Sequence, residues 1–186
     1  MTCRTLVAAV LGAATAAVLA LPAVASASPH DIQTTPLTVT REKGHVLACT
    51  GTGSGVDVVV DLYDNDVFGT HAAVSVRTPD DEYVRGGETG AGLFDKGRIR
   101  REFVLDSEAS GTAQTVVVSG AYVRSGSPKR VHEVYDEPFG QVVTKGWNYP
   151  LRAGVTVRTM GQQVRLTCGE SFAYRLTTWR PDSTAE

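Results

Sequence analysis

The fold class is indicated first by residues 56–63, which read VDVVVDLY. Apolar side chains occupy every second position of this segment, and two aspartates lie between them. Successive side chains of an extended chain point to opposite faces, so the alternation predicts a β-strand that is buried on one face.

Alternating segments of the same kind recur along the rest of the chain. Residues 70–78 alternate clearly, and residues 99–105 do so with Arg101 on the apolar face. Residues 28–186 contain 22 Val and 18 Thr against 8 Leu and 1 Met. Such β-branched side chains favour strands over helices. Further strands are predicted at residues 115–123, 129–135, 141–147, 154–159, 163–168 and 172–179.

Turn-forming residues separate these segments and complete the fold prediction. Pro, Gly and Asp cluster at residues 78–81, 125–128, 137–140 and 160–162, and the Gly-rich residues 86–97 form the longest predicted irregular segment. We therefore predict an all-β protein, an antiparallel β-sandwich of about nine or ten strands. A small closed β-barrel is the alternative, because periodicity does not count sheets.

The N-terminal residues predict export. Residues 1–27 resemble a signal peptide, with Arg4 before an apolar segment and small residues up to a cleavage site after Ala27. An uncleaved anchor is the alternative, but the apolar segment is shorter than the roughly 20 residues of a spanning helix, so no stable membrane anchor is expected. The predicted organisation is a signal peptide (1–27), a flexible lead-in (28–36), one β domain (37–180) and a polar tail (181–186).

The cysteines fit a secreted protein. Cys3 would leave with the signal peptide, so Cys49 and Cys168 would remain. Exported proteins with two cysteines usually pair them, so we predict a disulfide that joins the first and penultimate strands. By chain entropy, a disulfide that closes a loop of this length contributes about 4–5 kcal/mol to stability, and less is expected in practice.

Overall charge gives no reason to expect a nucleic-acid or anionic-membrane partner. Lys and Arg total 18 and Asp and Glu total 20, so the formal net charge is −2. Both kinds of partner call for an excess of positive charge.

Oxygen-bearing side chains are densest at Asp61, Asp64 and Asp66. Bunched carboxylates can bind Ca²⁺, but the spacing of an EF-hand is missing, and Asp and Asn also stabilise turns by themselves. A turn is the preferred interpretation, and a calcium site is the alternative.

No catalytic residue, cofactor site or metal site is predicted from motifs. The glycine-rich residues 51–55 lead into a strand rather than a helix, so they do not form a phosphate-binding loop. His45, His71 and His132 are isolated and lack metal-ligand spacing. The Gly-x-Ser-x-Gly nucleophile motif is absent from the sequence.

Aromatic residues provide the one functional indication. Trp147, Tyr149 and Trp179 lie at the ends of predicted strands, where exposed rings could stack on sugars or anchor a protein, and burial in the core is the alternative. We therefore expect a secreted module that binds an extracellular protein or glycan. The alternatives are a secreted hydrolase assembled from distant strands and a calcium-stabilised structural domain.

Overall fold

The protein is an antiparallel all-β structure, as predicted. A computed structural model describes residues 36–90 and 92–182, and within them there are ten strands and no helix, hence none that could span a bilayer. The predicted signal peptide, most of the lead-in and residues 183–186 lie outside the described residues. The strands are β1 (Leu37–Gly53), β2 (Val56–Asn65), β3 (Gly69–Arg77), β4 (Glu82–Glu88), β5 (Phe94–Asp95), β6 (Arg98–Asp106), β7 (Ala113–Arg124), β8 (Lys129–Glu137), β9 (Gly140–Thr159) and β10 (Gln162–Pro181).

The strand pairings connect eight strands in a continuous series. The order is β10-β1-β2-β3-β4-β6-β7-β9, and β9 pairs with β10 again. Each of the eight therefore pairs with two neighbours, and the link between β4 and β6 is the narrowest, through one residue pair, Val84 and Asp106. The short β5 pairs with β6, and β8 pairs with the first half of β9.

The core is formed by the apolar face that the alternation predicted. Val58, Val60 and Leu62 are each at most 1% exposed, whereas Val59 between them is 39% exposed. The equivalent faces of β3 and β6 are also buried. Arg101, which shares the apolar face of β6, is accommodated because its guanidinium reaches the backbone carbonyl of Thr89 at the edge of the core.

The predicted disulfide is present between β1 and β10. Cys49 and Cys168 are direct partners in the strand register and are covalently linked. Cys168 lies in the last strand rather than the penultimate one, because the segments 163–168 and 172–179 belong to one strand.

Two breaks that were predicted between strands are absent, because the chain stays extended through them. Residues 141–147 and 154–159 are both in β9, and β10 is likewise continuous, so each strand has 20 residues. Pro150 does not interrupt β9 but lies where the strand changes partner from β8 to β7. Gly169 marks a β-bulge opposite β1 instead of a turn.

The glycine-rich residues 86–97 are less irregular than predicted. Gly86 and Gly87 belong to β4, and Phe94 and Asp95 form β5. This correction has a simple cause: glycines carry no side chain whose alternation could indicate a strand.

The predicted turns are confirmed. At 160–161, Met160 and Gly161 both have positive φ, which suits a tight hairpin between β9 and β10. At 78–81, the Asp81 carboxylate accepts hydrogen bonds from the hydroxyls of Ser107 and Ser110, at 2.5 and 2.6 Å. The turn after β3 is thereby tied to the turn after β6, and these hydroxyl contacts lower the pKa of Asp81.

Four strand segments continue past the residues where β7 stops pairing with β9 and β2 stops pairing with β1. They are β8, residues 140–149 of β9, residues 172–181 of β10 and residues 37–43 of β1. We call this sheet the extension. Its two edges are β8 and the beginning of β1, and it contains Trp147, Tyr149 and Trp179.

Candidate ligand-binding face

One face of the extension consists of three rows of residues that cross all four strands. Directly opposed residues in an antiparallel sheet point to the same side, so the register defines each row. The first row, which we call the apolar row, is Val134, Val143, Trp179 and Val39. The next two rows, together called the basic face, are His132, Lys145, Thr177 and Arg41, and then Arg130, Trp147, Arg175 and Lys43.

The basic face concentrates positive charge that the overall composition hides. Its five cationic side chains are all exposed: Arg41, Lys43, Arg130, Lys145 and Arg175. Fewer carboxylates are close by. Glu42 lies between Arg41 and Lys43 along β1, Asp66 lies 3.9 Å from the Lys43 ammonium, and Asp136 lies beside Gln141 on the side of the apolar row. The face is therefore cationic within a chain whose formal net charge is −2.

A surface groove runs through the basic face. Its volume is about 510 Å³, and Lys145, Trp147 and Arg175 line it together with residues of β1. Glu42 and Asp66 also contribute to its wall. The groove thus places an indole and several cations around one space that is open to solvent.

The three aromatic residues predicted as a binding surface share this face but differ in burial. Trp147 is 46% exposed. Trp179 is partly buried, with the Lys145 ammonium 5.8 Å from its ring centroid. Tyr149 packs partly against the core, and the Arg124 guanidinium lies 4.4 Å from its ring centroid. Trp147 is therefore available for stacking, and its binding role stays a prediction.

A histidine–aspartate pair lies one row below the basic face. His45 Nδ1 is 3.2 Å from Asp64 Oδ2, and the imidazole stacks on Phe94 at 4.9 Å between ring centroids. Both residues line a cavity of about 230 Å³, which also includes Arg124 and Arg175. Beside them, burial raises the pKa of Tyr122, with a smaller contribution from the Asp64 carboxylate, so this phenol stays protonated.

The other two histidines do not join this pair. His71 Nε2 lies 3.1 Å from the carbonyl oxygen of Phe68, and His132 is in the basic face. Of the three histidines that the sequence analysis considered, the structure brings His45 to a carboxylate and leaves the other two apart.

The three clustered aspartates do not share a partner. Asp64 contacts His45, Asp66 contacts Lys43, and Asp61 is exposed on β2. In the residues that the structure describes, no three His, Cys, Asp or Glu side chains are grouped so that they could hold a metal ion. The calcium hypothesis therefore has no assembled set of ligands in this part of the chain.

Sequence reasoning missed the buried amide that organises the nearby loop. Asn65 Oδ1 accepts the N–H groups of Val67 and Phe68, while its Nδ2 donates to the hydroxyls of Tyr63 and Tyr174 at 2.7 and 2.8 Å. The Tyr174 hydroxyl in turn donates to the backbone carbonyl of Asp64. Burial raises the pKa of Tyr174 far above its usual value, so it remains a donor. This network fixes the backbone of Asp64 and hence the partner of His45.

The basic face was also missed, because no single segment of the sequence indicates it. The five cations are spread over four strands, so no segment looks basic. Only the strand register places Arg41 beside Thr177 and Lys145 beside His132. A correct strand alignment would have been needed to find it.

Comparison with known proteins adds little to this description. No family model matches the chain, and no curated protein matches it. A solved structure from Nitrosomonas europaea, described as a "putative AttH", is 12% identical with a TM-score of 0.39, and the match covers 78% of this chain and 52% of that one. The chain therefore spans about half the length of that protein, and so distant a match supports no conclusion about function.

Proposed function

We propose that the protein is a secreted binding module that engages an anionic ligand through its basic face. The disulfide supports an oxidising, extracellular location, in line with the predicted signal peptide. The eight strands with two neighbours each favour the closed-barrel alternative over the sandwich. In this proposal the closed part is the scaffold, and the extension presents the ligand-binding surface.

The observation that supports the proposal is the separation of charge on one sheet. Lys145 and Arg175 line a groove together with Trp147, and Arg130 is opposite Trp147 in the strand register. The carboxylates near them are fewer than the cations. Clustered cations on a concave surface attract anions and speed their association. An exposed indole adds a flat apolar surface for stacking. An acidic extracellular glycan or an acidic protein has the complementary chemistry.

Intrinsic fluorescence offers a direct test, because the chain has two tryptophans and both lie on this face. We would titrate the protein with polygalacturonate and with phosphatidylglycerol vesicles, using dextran and phosphatidylcholine vesicles as neutral counterparts. We expect at least one acidic probe, and neither neutral one, to change the emission. Arg175→Ala should weaken binding, and Arg165→Ala, an exposed arginine elsewhere on β10, should not. Unchanged emission with both acidic probes would refute the proposal.

A hydrolase is the second candidate, favoured by the His45–Asp64 pair. Asp64 orients the imidazole, which could take a proton from water, while Arg124 and Arg175 line the same cavity and would face a developing oxyanion. The residues that line this cavity include no Ser, Thr or Cys, so water is the nucleophile in this scheme.

This candidate is tested with p-nitrophenyl acetate and p-nitrophenyl phosphate. Removing a general base lowers a rate by about 100-fold or more, so His45→Ala should do this while His71→Ala leaves the rate unchanged. Equal rates for the native protein and both variants would remove the hydrolase from consideration.

A further inference from the structure

The apolar row gives the extension a second property besides its charge. Val39 and Val134, at its two ends, are 46% and 48% exposed, and Val143 and Trp179 join them across the sheet. An apolar band thus crosses all four strands at the surface. Exposed apolar patches that are bordered by polar groups commonly mark protein or membrane contacts.

Two further apolar side chains lie beyond this row, toward the free end of the extension. Leu37 begins β1 and is 56% exposed, and Phe139 in the turn between β8 and β9 is 63% exposed. The distal end is therefore apolar, and the basic face follows it directly.

The spacing of the rows suits a membrane interface. Rows are two residues apart along each strand, which is about 7 Å, so the two basic rows lie roughly 7 and 13 Å behind the apolar row. Peripheral segments bury their apolar faces about 5–10 Å into the headgroup region. At that depth Lys145 and Arg175 would reach the level of the lipid phosphates.

An amphiphilic surface would contact both the apolar row and the basic face, whereas a soluble polyanion would contact only the basic face. An acidic glycan would pair with the cations and stack on Trp147, but it would leave Phe139, Leu37 and the apolar row in water. A bilayer with anionic lipids covers the apolar groups and supplies the negative charge. Near the free end, Glu137 is paired with Arg180 at 3.2 Å, and Asp136 is an exposed carboxylate that opposes such docking.

We infer that the extension docks on an anionic lipid bilayer, with Phe139 and the apolar row in the headgroup region and the basic face against the phosphates. The inference rests on the proposed function and names its ligand. It concerns reversible attachment to a surface, which the net charge of the chain does not exclude because the charges are segregated.

The test is sedimentation with vesicles of phosphatidylcholine alone and of phosphatidylcholine mixed with phosphatidylglycerol, together with tryptophan emission. We expect binding and a blue shift with the acidic vesicles, and neither with the neutral ones. Each cation near an anionic surface strengthens binding about fivefold, so Lys145→Ala with Arg175→Ala should weaken it roughly 25-fold. The matched control, Arg158→Ala with Arg165→Ala, alters exposed arginines outside the extension and should bind like the native protein.

Two further variants test the orientation. Phe139→Asp places a charge at an exposed turn, where folding does not depend on it, and should abolish the blue shift and weaken binding. Asp136→Asn removes the opposing charge and should tighten binding. Circular dichroism and an intact disulfide would show that every variant is folded.

The outcomes separate the two proposals. Binding of polygalacturonate without binding of acidic vesicles would refute lipid docking and leave the proposed function intact. No response to either acidic probe would refute both. Equal binding to neutral vesicles, or vesicle binding that is insensitive to Phe139→Asp, would overturn the docking proposed for this face.

Discussion

The two halves of strand β9 use the same face of the same strand in different ways. In the second half, Leu151, Val155 and Val157 point into the core and are buried. In the first half, Lys145 and Trp147 occupy the equivalent positions and are exposed. β10 and β1 change in the same way where they enter the extension.

The difference shows that backbone pairing and side-chain burial are separable along one strand. In the extension, β9 and β10 are hydrogen-bonded on both sides, so their backbone groups are satisfied whatever the side chains are. Side chains on this face are therefore free to serve binding, whereas those of the core are required for stability. Four mutational tests can sharpen or break this division.

The largest effect is expected for Leu47→Ala. Leu47 is fully buried, and truncating a buried leucine lowers the free energy of unfolding by about 2–5 kcal/mol. Arg41→Ala, on the same face of the same strand but in the extension, should change it by less than about 0.5 kcal/mol. Urea denaturation measures both, and similar losses for the two variants would contradict the division.

Removing the disulfide should come next. Cys49→Ala with Cys168→Ala opens a loop of 119 residues and should lower the unfolding free energy by about 2–4 kcal/mol. Because the bond joins β1 to β10 outside the extension, where β1 also pairs with β2, binding to the basic face should persist below the melting temperature. Loss of binding in a folded variant would show that the extension depends on the bond.

Asn65→Ala should have an intermediate effect. The substitution leaves buried tyrosine hydroxyls and loop amides without their partner, which costs about 1–3 kcal/mol. Asp61→Ala, at an exposed position of the same strand, serves as the control and should be nearly neutral. Thermal melting of both variants measures the effect. An unchanged melting temperature for Asn65→Ala would mean that water replaces the amide.

The smallest effect is expected on stability at acidic pH. The pKa of Asp81 is lower in the folded protein than its ordinary value of 3.8, so its stabilising contribution is present above that value and is lost as the pH falls through the lower folded pKa. Asp81→Asn should therefore flatten the decline in melting temperature at acidic pH. If the melting temperatures of the native protein and the variant fell equally as the pH was lowered, the carboxylate would make no contribution to stability in this pH range.

Local alternation predicted most of the fold, because it reports burial on one face. It succeeded for residues 56–63 and 70–78, where one face is core and the other is solvent. It was weaker where that contrast is missing. The glycines of β4 have no side chains to alternate, so this strand was not predicted. β8 is exposed on both faces and alternates poorly, but residues 129–135 were predicted as a strand and the structure confirms it.

The candidate site was predicted less completely, because it depends on register between distant strands. Trp147, Tyr149 and Trp179 were identified by residue type, and the structure places them on one face. The cations between them were not identified, since Lys43 and Arg175 become neighbours only through the pairing of β1 with β10. The His45–Asp64 pair was missed for the same reason, as β1 and β2 bring these two residues together.

The pairing of β1 with β10 also brings the first and last described residues side by side. Leu37 is opposite Pro181, and the amide of Asp182 donates to the carbonyl of Pro36 at 2.8 Å. The strand that begins the described residues and the strand that ends them are therefore neighbours in space. A short peptide could join these two ends, and the chain could be reopened at the surface turn of residues 125–128 without separating any paired strands.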